Sequence, residues 1–321
     1  MQQDYADELL QKKDGSDGHG TSFTASTGRA TMIAAFGAAV VIAPAQAAPL
    51  WPGGPDVPGL GSSAPAVPTI PALPVPAPEP QMQRLMPAPF ADPSITPNGG
   101  EIVGVAQPIK ISFSDTIGDR AAAEAAIEIT TTPKVDGHFY WINDTQVRWL
   151  PNEFYPAPPQ VPVAAGGARA DFSTGDSLIT TADDATKTIT VTRNGEVVRT
   201  MPTSFGKPGY ETPNGTYIVG ERVREMYMDS STYGVPVDAP EGYRTYVEYA
   251  TRMSYSGIFL HAAPWSVGSQ GYANVSHGCL NVSTEDGKWF YENARKGDPV
   301  VVVNTAGGTL SGADGLGDWN R

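Results

Sequence analysis

Short stretches of alternating apolar and polar residues run along the C-terminal two-thirds of the chain. Ile109-Lys110-Ile111-Ser112-Phe113 and Ile127-Glu128-Ile129 alternate with period two, as do Phe139 and Trp141 and, after a turn at Asn143-Asp144-Thr145, Val147 and Trp149. This periodicity places successive side chains on opposite faces of a strand and predicts a small antiparallel sandwich with hairpins. The expectation for residues 95–170 is an immunoglobulin-like domain without a disulfide. His138, between strand residues, reads as an ordinary strand histidine.

The pattern continues beyond Asp171. Ser177 to Thr181, Thr188 to Thr192 and Val197 to Met201 are β-rich, and Asn194-Gly195 supplies a tight hairpin turn. Thr212 to Val219 reads as a second turn leading into a strand. The Asp183-Asp184 pair reads as a turn. Helix is expected over Glu285 to Arg295, capped by Ser283 or Thr284, with acids in its first turn and Arg295 and Lys296 at its end. Residues 171–306 are therefore expected to form a mostly β domain with one or two helices. Residues 307–321 follow as a tail without periodicity, which Trp319 can dock.

Two other patterns precede these modules. Thr31 to Val41 is an uncharged apolar run after Arg29 and before Ala45-Gln46-Ala47, too short for a membrane span of about 20 residues. Residues 1–47 therefore read as a secretory signal peptide or, because Asp4, Asp7, Glu8, Asp14 and Asp17 outnumber Lys12 and Lys13, a retained signal anchor. Export to the periplasm or cell wall follows, with a membrane anchor at the N-terminus in the second case. Residues 48–94 form a Pro-rich linker: 15 of the chain's 30 prolines fall between residues 49 and 97. That density predicts an extended tether that sets distance rather than chemistry.

Composition narrows the chemistry. The chain has 321 residues, a formal charge of −13 and no basic stripe, which argues against a nucleic-acid partner. One cysteine excludes an internal disulfide framework. That residue, Cys279, lies 18 positions after His261 and two after His277. An imidazole beside a thiol can lower its pKa and accept its proton, the minimum for acyl transfer. His261 ends the strand-like run Ser256 to Leu260, and Gly278 allows close backbone approach, so the amides near Gly278 and Cys279 could stabilise an oxyanion. On spacing alone, a buried core cysteine and a metal site stay open, although a structural zinc needs four ligands and no fourth Cys or His is near.

The run Ser276-His277-Gly278-Cys279-Leu280-Asn281 after His261, with the stretch from Met228 to Gly268, resembles the L,D-transpeptidases with a YkuD-type catalytic domain, in their mycobacterial branch. The resemblance covers roughly residues 95 to 321 and implies an immunoglobulin-like sandwich followed by a mostly β catalytic domain. It implies an acyltransferase acting on peptidoglycan stem tetrapeptides as donor and acceptor. Cys279 would attack, D-Ala would leave, and an amine would resolve the thioester as a 3→3 cross-link; water or a protein amine in its place would give an L,D-carboxypeptidase or protein-to-wall attachment, and a silent site a wall-binding scaffold. His261 would be the base, and His277 would either shape the site or hold its loop. Tyr243, Met228, Ser256, Gly257 and Asn281 match substrate-site positions, with Ser276 and Gly278 in the motif; Trp265 would wall the cleft or sit in the core. Carbapenem β-lactams are implied as covalent inhibitors, and no metal or cofactor is expected. Many relatives carry Ser after the base histidine. Here Ala262 stands there, so the expectation is that its backbone carbonyl orients the imidazole.

Overall fold

The computed structural model describes residues 88–157 and 160–321, so the expectations for the signal segment and most of the linker lie outside the described residues. The first module contains β1 (Ser94–Thr96), β2 (Ile102–Val103), β3 (Ile109–Ser112), α1 (Arg120–Ala125), β4 (Ile127–Ile129), β5 (Gly137–Asn143), β6 (Gln146–Pro151), β7 (Gln160–Ala165) and β8 (Ala168–Thr174). They form two four-stranded sheets, ordered β1-β3-β6-β5 and β2-β8-β7-β4. Alternation drives the packing: Ile109 and Ile111 turn inward and are fully buried, meeting Val147, Val161, Val163 and Phe172 between the sheets. Strand β8 runs to Thr174, four residues past the expected module limit, because its backbone still pairs with β7 and with β2. His138 lies on β5 and contacts Asn152 Oδ1 through Nδ1 at 3.0 Å, as an ordinary strand histidine does.

The second module comprises β9 (Leu178–Asp183), β10 (Thr188–Arg193), β11 (Glu196–Pro202), β12 (Pro213–Ile218), β13 (Arg222–Asp229), β14 (Arg244–Arg252), β15 (Phe259–Ala262), β16 (Leu280–Val282), α2 (Thr284–Asn293), β17 (Pro299–Val303) and β18 (Gly307–Thr309). A six-stranded sheet, β11-β10-β9-β17-β12-β18, lies with a four-stranded one, β13-β14-β15-β16. Their shared core holds Ile189, Met201, Phe205, Tyr217, Leu260, Leu280 and Phe290. The β10–β11 hairpin turns on Asn194 and Gly195 at φ 51° and 87°, both left-handed as that turn demands. Helix α2 starts on Ser283, whose hydroxyl accepts from Asp286 N–H. It stops at Asn293, short of the expected end, because Ala294 turns extended and Arg295 N–H goes to the Asp298 carboxylate.

Two expectations change. Asn214-Gly215 lies inside β12 rather than in a turn, since Gly215 takes φ 136° and the Asn320 side chain occupies the space a Cβ would need. The tail is also built in. Strand β18 pairs in parallel with β12, and Trp319 Nε1 donates to Ala106 O of the first module at 2.8 Å while meeting the Phe154 ring edge-on.

Candidate active site

Strands β15 and β16 are parallel neighbours, with Leu260 opposite Leu280, His261 opposite Asn281 and Ala262 opposite Val282. Side chains alternate along a strand, so His261 and Asn281 share a face and Cys279, two residues before Asn281, enters on that same face. The register thus sets the two groups on one side of the β15–β16 pair. His261 is not at the end of a run from Ser256: Ser256 and Gly257 form an exposed turn, Gly257 at φ 101°, and the strand begins at Phe259.

Both chemical groups are buried, His261 at 3% exposure and Cys279 at 7%. His261 Nδ1 lies 2.8 Å from the carbonyl oxygen of Ala262. A carbonyl only accepts, so the Nδ1–H tautomer is fixed and Nε2 keeps its lone pair. The carbonyl therefore does the orienting, as expected of Ala262. Burial pushes the imidazole pKa down to about 4 despite that hydrogen bond, and pushes the Cys279 thiol up to about 11 against the Phe259 N–H that favours its anion. At neutral pH the pair rests as uncharged thiol and uncharged imidazole. Cys279 Sγ also faces the Gly257 carbonyl at 3.8 Å.

The thiol sits in a small apolar cluster of its own with Met228, Val247, Ala250 and Phe259, against which Tyr243 packs. Tyr243 is tied to the short helical turn Ser230–Tyr233: its N–H donates to Ser230 Oγ at 2.9 Å, its carbonyl accepts from Ser230 N–H, and its hydroxyl pairs with that of Tyr233. Burial raises the Tyr243 pKa, donation of its proton to Tyr233 raises it again, and a thiolate at Cys279 would raise it further. Trp265 is 56% exposed with its ring 6.0 Å from that of His261, so it borders His261 instead of filling the core.

Other expected residues have supporting positions. Ser276 Oγ donates to Cys279 O at 2.7 Å and accepts from Gly278 N–H at 3.1 Å, folding the loop on itself. Gly278 N–H is thus spent within the loop and unavailable to an oxyanion, which corrects that part of the expectation. Asn281 Nδ2 donates to Ser266 Oγ at 3.2 Å and braces the turn that carries Trp265. Ser256 N–H is held by Asp314. His277 faces Glu241 Oε2 through Nε2 at 3.2 Å and packs between the rings of Tyr210 and Tyr243. Glu241 in turn pairs with Lys207 Nζ at 2.5 Å, so His277 belongs to a clasp joining the nucleophile loop to the Tyr243 segment. Lys207, Tyr210 and Glu241 escaped the sequence reading because no motif links them; only the fold brings them to His277.

A sandwich module followed by a two-sheet domain that buries a thiol beside a tautomer-fixed imidazole under a tyrosine defines a thiol–imidazole enzyme architecture. Comparison with known proteins specifies it. Residues 178–302 match the L,D-transpeptidase catalytic domain (YkuD) and residues 78–167 a bacterial Ig domain. The chain is 53% identical to L,D-transpeptidase 2 of Mycobacterium tuberculosis over 252 residues, covering 74% of this chain and 62% of that protein. It is 44% identical to L,D-transpeptidase 1 of the same organism over 210 residues, covering 65% of this chain and 84% of that protein. The solved structure of LD transpeptidase LdtMt1 in complex with imipenem superposes with TM-score 0.63 at 44% identity, over 65% of this chain and 97% of that one. The chain belongs to the L,D-transpeptidase family.

Proposed function

We propose that this chain is a peptidoglycan acyltransferase that forms 3→3 cross-links between stem peptides through a thioester on Cys279. The observation that carries the proposal is a buried thiol, two residues before the strand partner of His261, together with an imidazole whose Nδ1 is committed to a backbone carbonyl, leaving His261 Nε2 as a base. As Sγ bonds to the carbonyl carbon of the third stem residue, its proton passes to His261. The same proton then goes to the departing nitrogen as the bond to the terminal D-Ala breaks. The amine of a second stem attacks the thioester, loses a proton to His261, and the thiol recovers it. Positioned proton transfer of this kind contributes about 10²- to 10⁴-fold. Tyr243 would close over the acyl group, and Trp265 would border the donor. Imipenem, bound by LdtMt1 in the related structure, supports β-lactams as acylating inhibitors of Cys279 here. The apolar run at Thr31–Val41 supports an exported location, in the periplasm or wall.

Incubation with purified disaccharide-tetrapeptide tests this. The expected products are free D-Ala and a dimer smaller than two monomers by the mass of one D-Ala. Tripeptide without dimer would mean that water is the acceptor and the chain a carboxypeptidase. No turnover, with no adduct on Cys279 by intact mass, would leave a wall-binding scaffold as the reading.

A further inference from the structure

We propose that Thr212 is a positioning residue for acylation, setting the direction of the Cys279 backbone N–H, which is free to bind an oxyanion. The proposal rests on the acyl-transfer reading above. Gly278 N–H is held by Ser276 Oγ, and Gly278 itself takes φ 116°, a conformation that a glycine adopts without penalty. The next amide, Cys279 N–H, finds no acceptor among the described residues. Its direction follows from the carbonyl on the same peptide plane, because C=O and N–H point to opposite sides of a trans peptide. That carbonyl, Gly278 O, accepts from Thr212 Oγ1 at 2.8 Å. With the oxygen anchored to Thr212, the Cys279 N–H is turned away from Thr212 and held there, as electrostatic stabilisation of a developing oxyanion requires.

Thr212 is itself rigid. It is fully buried, its Oγ1 accepts from Gly206 N–H at 3.0 Å, and its carbonyl accepts from Thr305 Oγ1 at 2.6 Å. Gly206 bridges to Ser276 at the other end of the loop, and Lys207 N–H donates to Ser276 O at 2.9 Å. One hydroxyl therefore joins the strap 203–207 to the peptide before the nucleophile, using both its donor and its acceptor capacity. Nothing in a sequence motif marks it, since Thr212 lies 67 positions before Cys279.

Two reactions of the same thiol separate a positioning role from a structural one. Acylation by imipenem passes through a tetrahedral oxyanion, whereas alkylation by iodoacetamide displaces iodide and forms none. Thr212→Val keeps the shape and removes both hydrogen bonds. It should slow imipenem acylation by at least about 10-fold, a part of the 10²- to 10³-fold seen when such a donor is lost outright. Alkylation should stay within about two-fold of the parent rate, and Thr212→Ser should restore acylation. If the valine variant does not fold, Thr212→Ala, which also removes both hydrogen bonds and adds no second thiol, carries the same comparison. Equal acylation rates in parent and variant, or a parallel fall in both reactions, would overturn the assignment. A parent protein that takes up iodoacetamide but no imipenem would overturn the acyl-transfer reading and this assignment with it.

Discussion

The junction between the first module and the tail offers a test in which removing one side chain should be worse than removing two. Asp318 is 1% exposed, and its carboxylate accepts from Arg148 Nη1 at 2.6 and 2.8 Å and from the Tyr140 hydroxyl. Arg148 also donates to Gly315 O at 3.1 Å. Arg148→Met keeps the apolar stem but strands a buried carboxylate, for which losses of about 3–5 kcal/mol are usual. Against a total stability of roughly 5–15 kcal/mol this is a large fraction. At about 2–4 °C per kcal/mol for a domain of this size, the melting temperature should fall by roughly 6–20 °C. Replacing both partners, Arg148→Met with Asp318→Leu, removes the charge and its desolvation together and should recover most of the loss, since buried pairs exchanged for apolar residues are often neutral. Thermal unfolding by circular dichroism at pH 7 measures all three proteins. A double variant no more stable than the single one would refute the reasoning, because the loss would then come from packing and not from an unpaired charge.

Three further outcomes follow from the site and its supports. Imipenem acylation should be flat from about pH 5 to about pH 9, because the imidazole is held down to about 4 and the thiol up to about 11; a rising limb with its midpoint near neutrality in stopped-flow rates would instead show an imidazole that titrates at its ordinary value. Gly287→Ala in α2 should lower both stability and the acylation rate: the new Cβ would lie 2.8 Å from Ala262 N, and overpacking costs about 1–3 kcal/mol against a helix gain of about 1. An unchanged rate in kinetic assays would show that α2 does not hold the Ala262 carbonyl in place. Asp298, 1% exposed with Oδ1 unpartnered, is pushed by burial up to about 7, so the stability it contributes is present in acid and lost as pH rises through that value. Asp298→Asn should therefore raise stability at pH 8, by about 4 kcal/mol read as a higher melting temperature, and leave it nearly unchanged at pH 4; equal shifts at both values would refute the linkage.

Much of this architecture was legible because local and global signals agree. Lys110 and Ser112 alternate with Ile109 and Ile111, and the fold buries the isoleucines. Asn194-Gly195 can hardly be anything but a turn. The chemistry was legible for a simpler reason: with one cysteine in the chain, any thiol reaction has one address. What stayed hidden depends on contacts between distant segments. Arg120–Ala125 is a six-residue helix too short for periodicity to announce it, started by Asp119 accepting from Ala122 N–H. Asn214-Gly215 carries a turn signature that is overridden because Asn320, 105 residues later than Gly215, fills the glycine's open side. The clasp of Lys207, Glu241 and His277 is assembled from three loops. His277 had two readings by sequence, and its partners, a carboxylate and two aromatic rings, favour holding the loop over acting on the sulfur.

The uncharged resting pair makes sense of a site that otherwise looks poorly suited to a nucleophile. Burial raises the thiol and lowers the imidazole, so an ion pair at rest would have to be desolvated on both partners. The reaction never needs one to persist. In the proposed reaction the proton taken from Sγ leaves on the departing amine, and the proton taken from the attacking amine returns to Sγ, so His261 would carry charge only in passing. An imidazole that gives its proton up readily is then an asset in the second half of each step, where it acts as acid. Apolar neighbours at Met228, Val247 and Phe259 surround the thiol and, on the proposed reaction, would keep water from a thioester until an amine arrives. The remaining demand is electrostatic help for the oxyanion, the only full charge formed at the substrate. On the proposal above, that demand falls on a fixed dipole, the Cys279 N–H, whose direction Thr212 sets before the substrate binds.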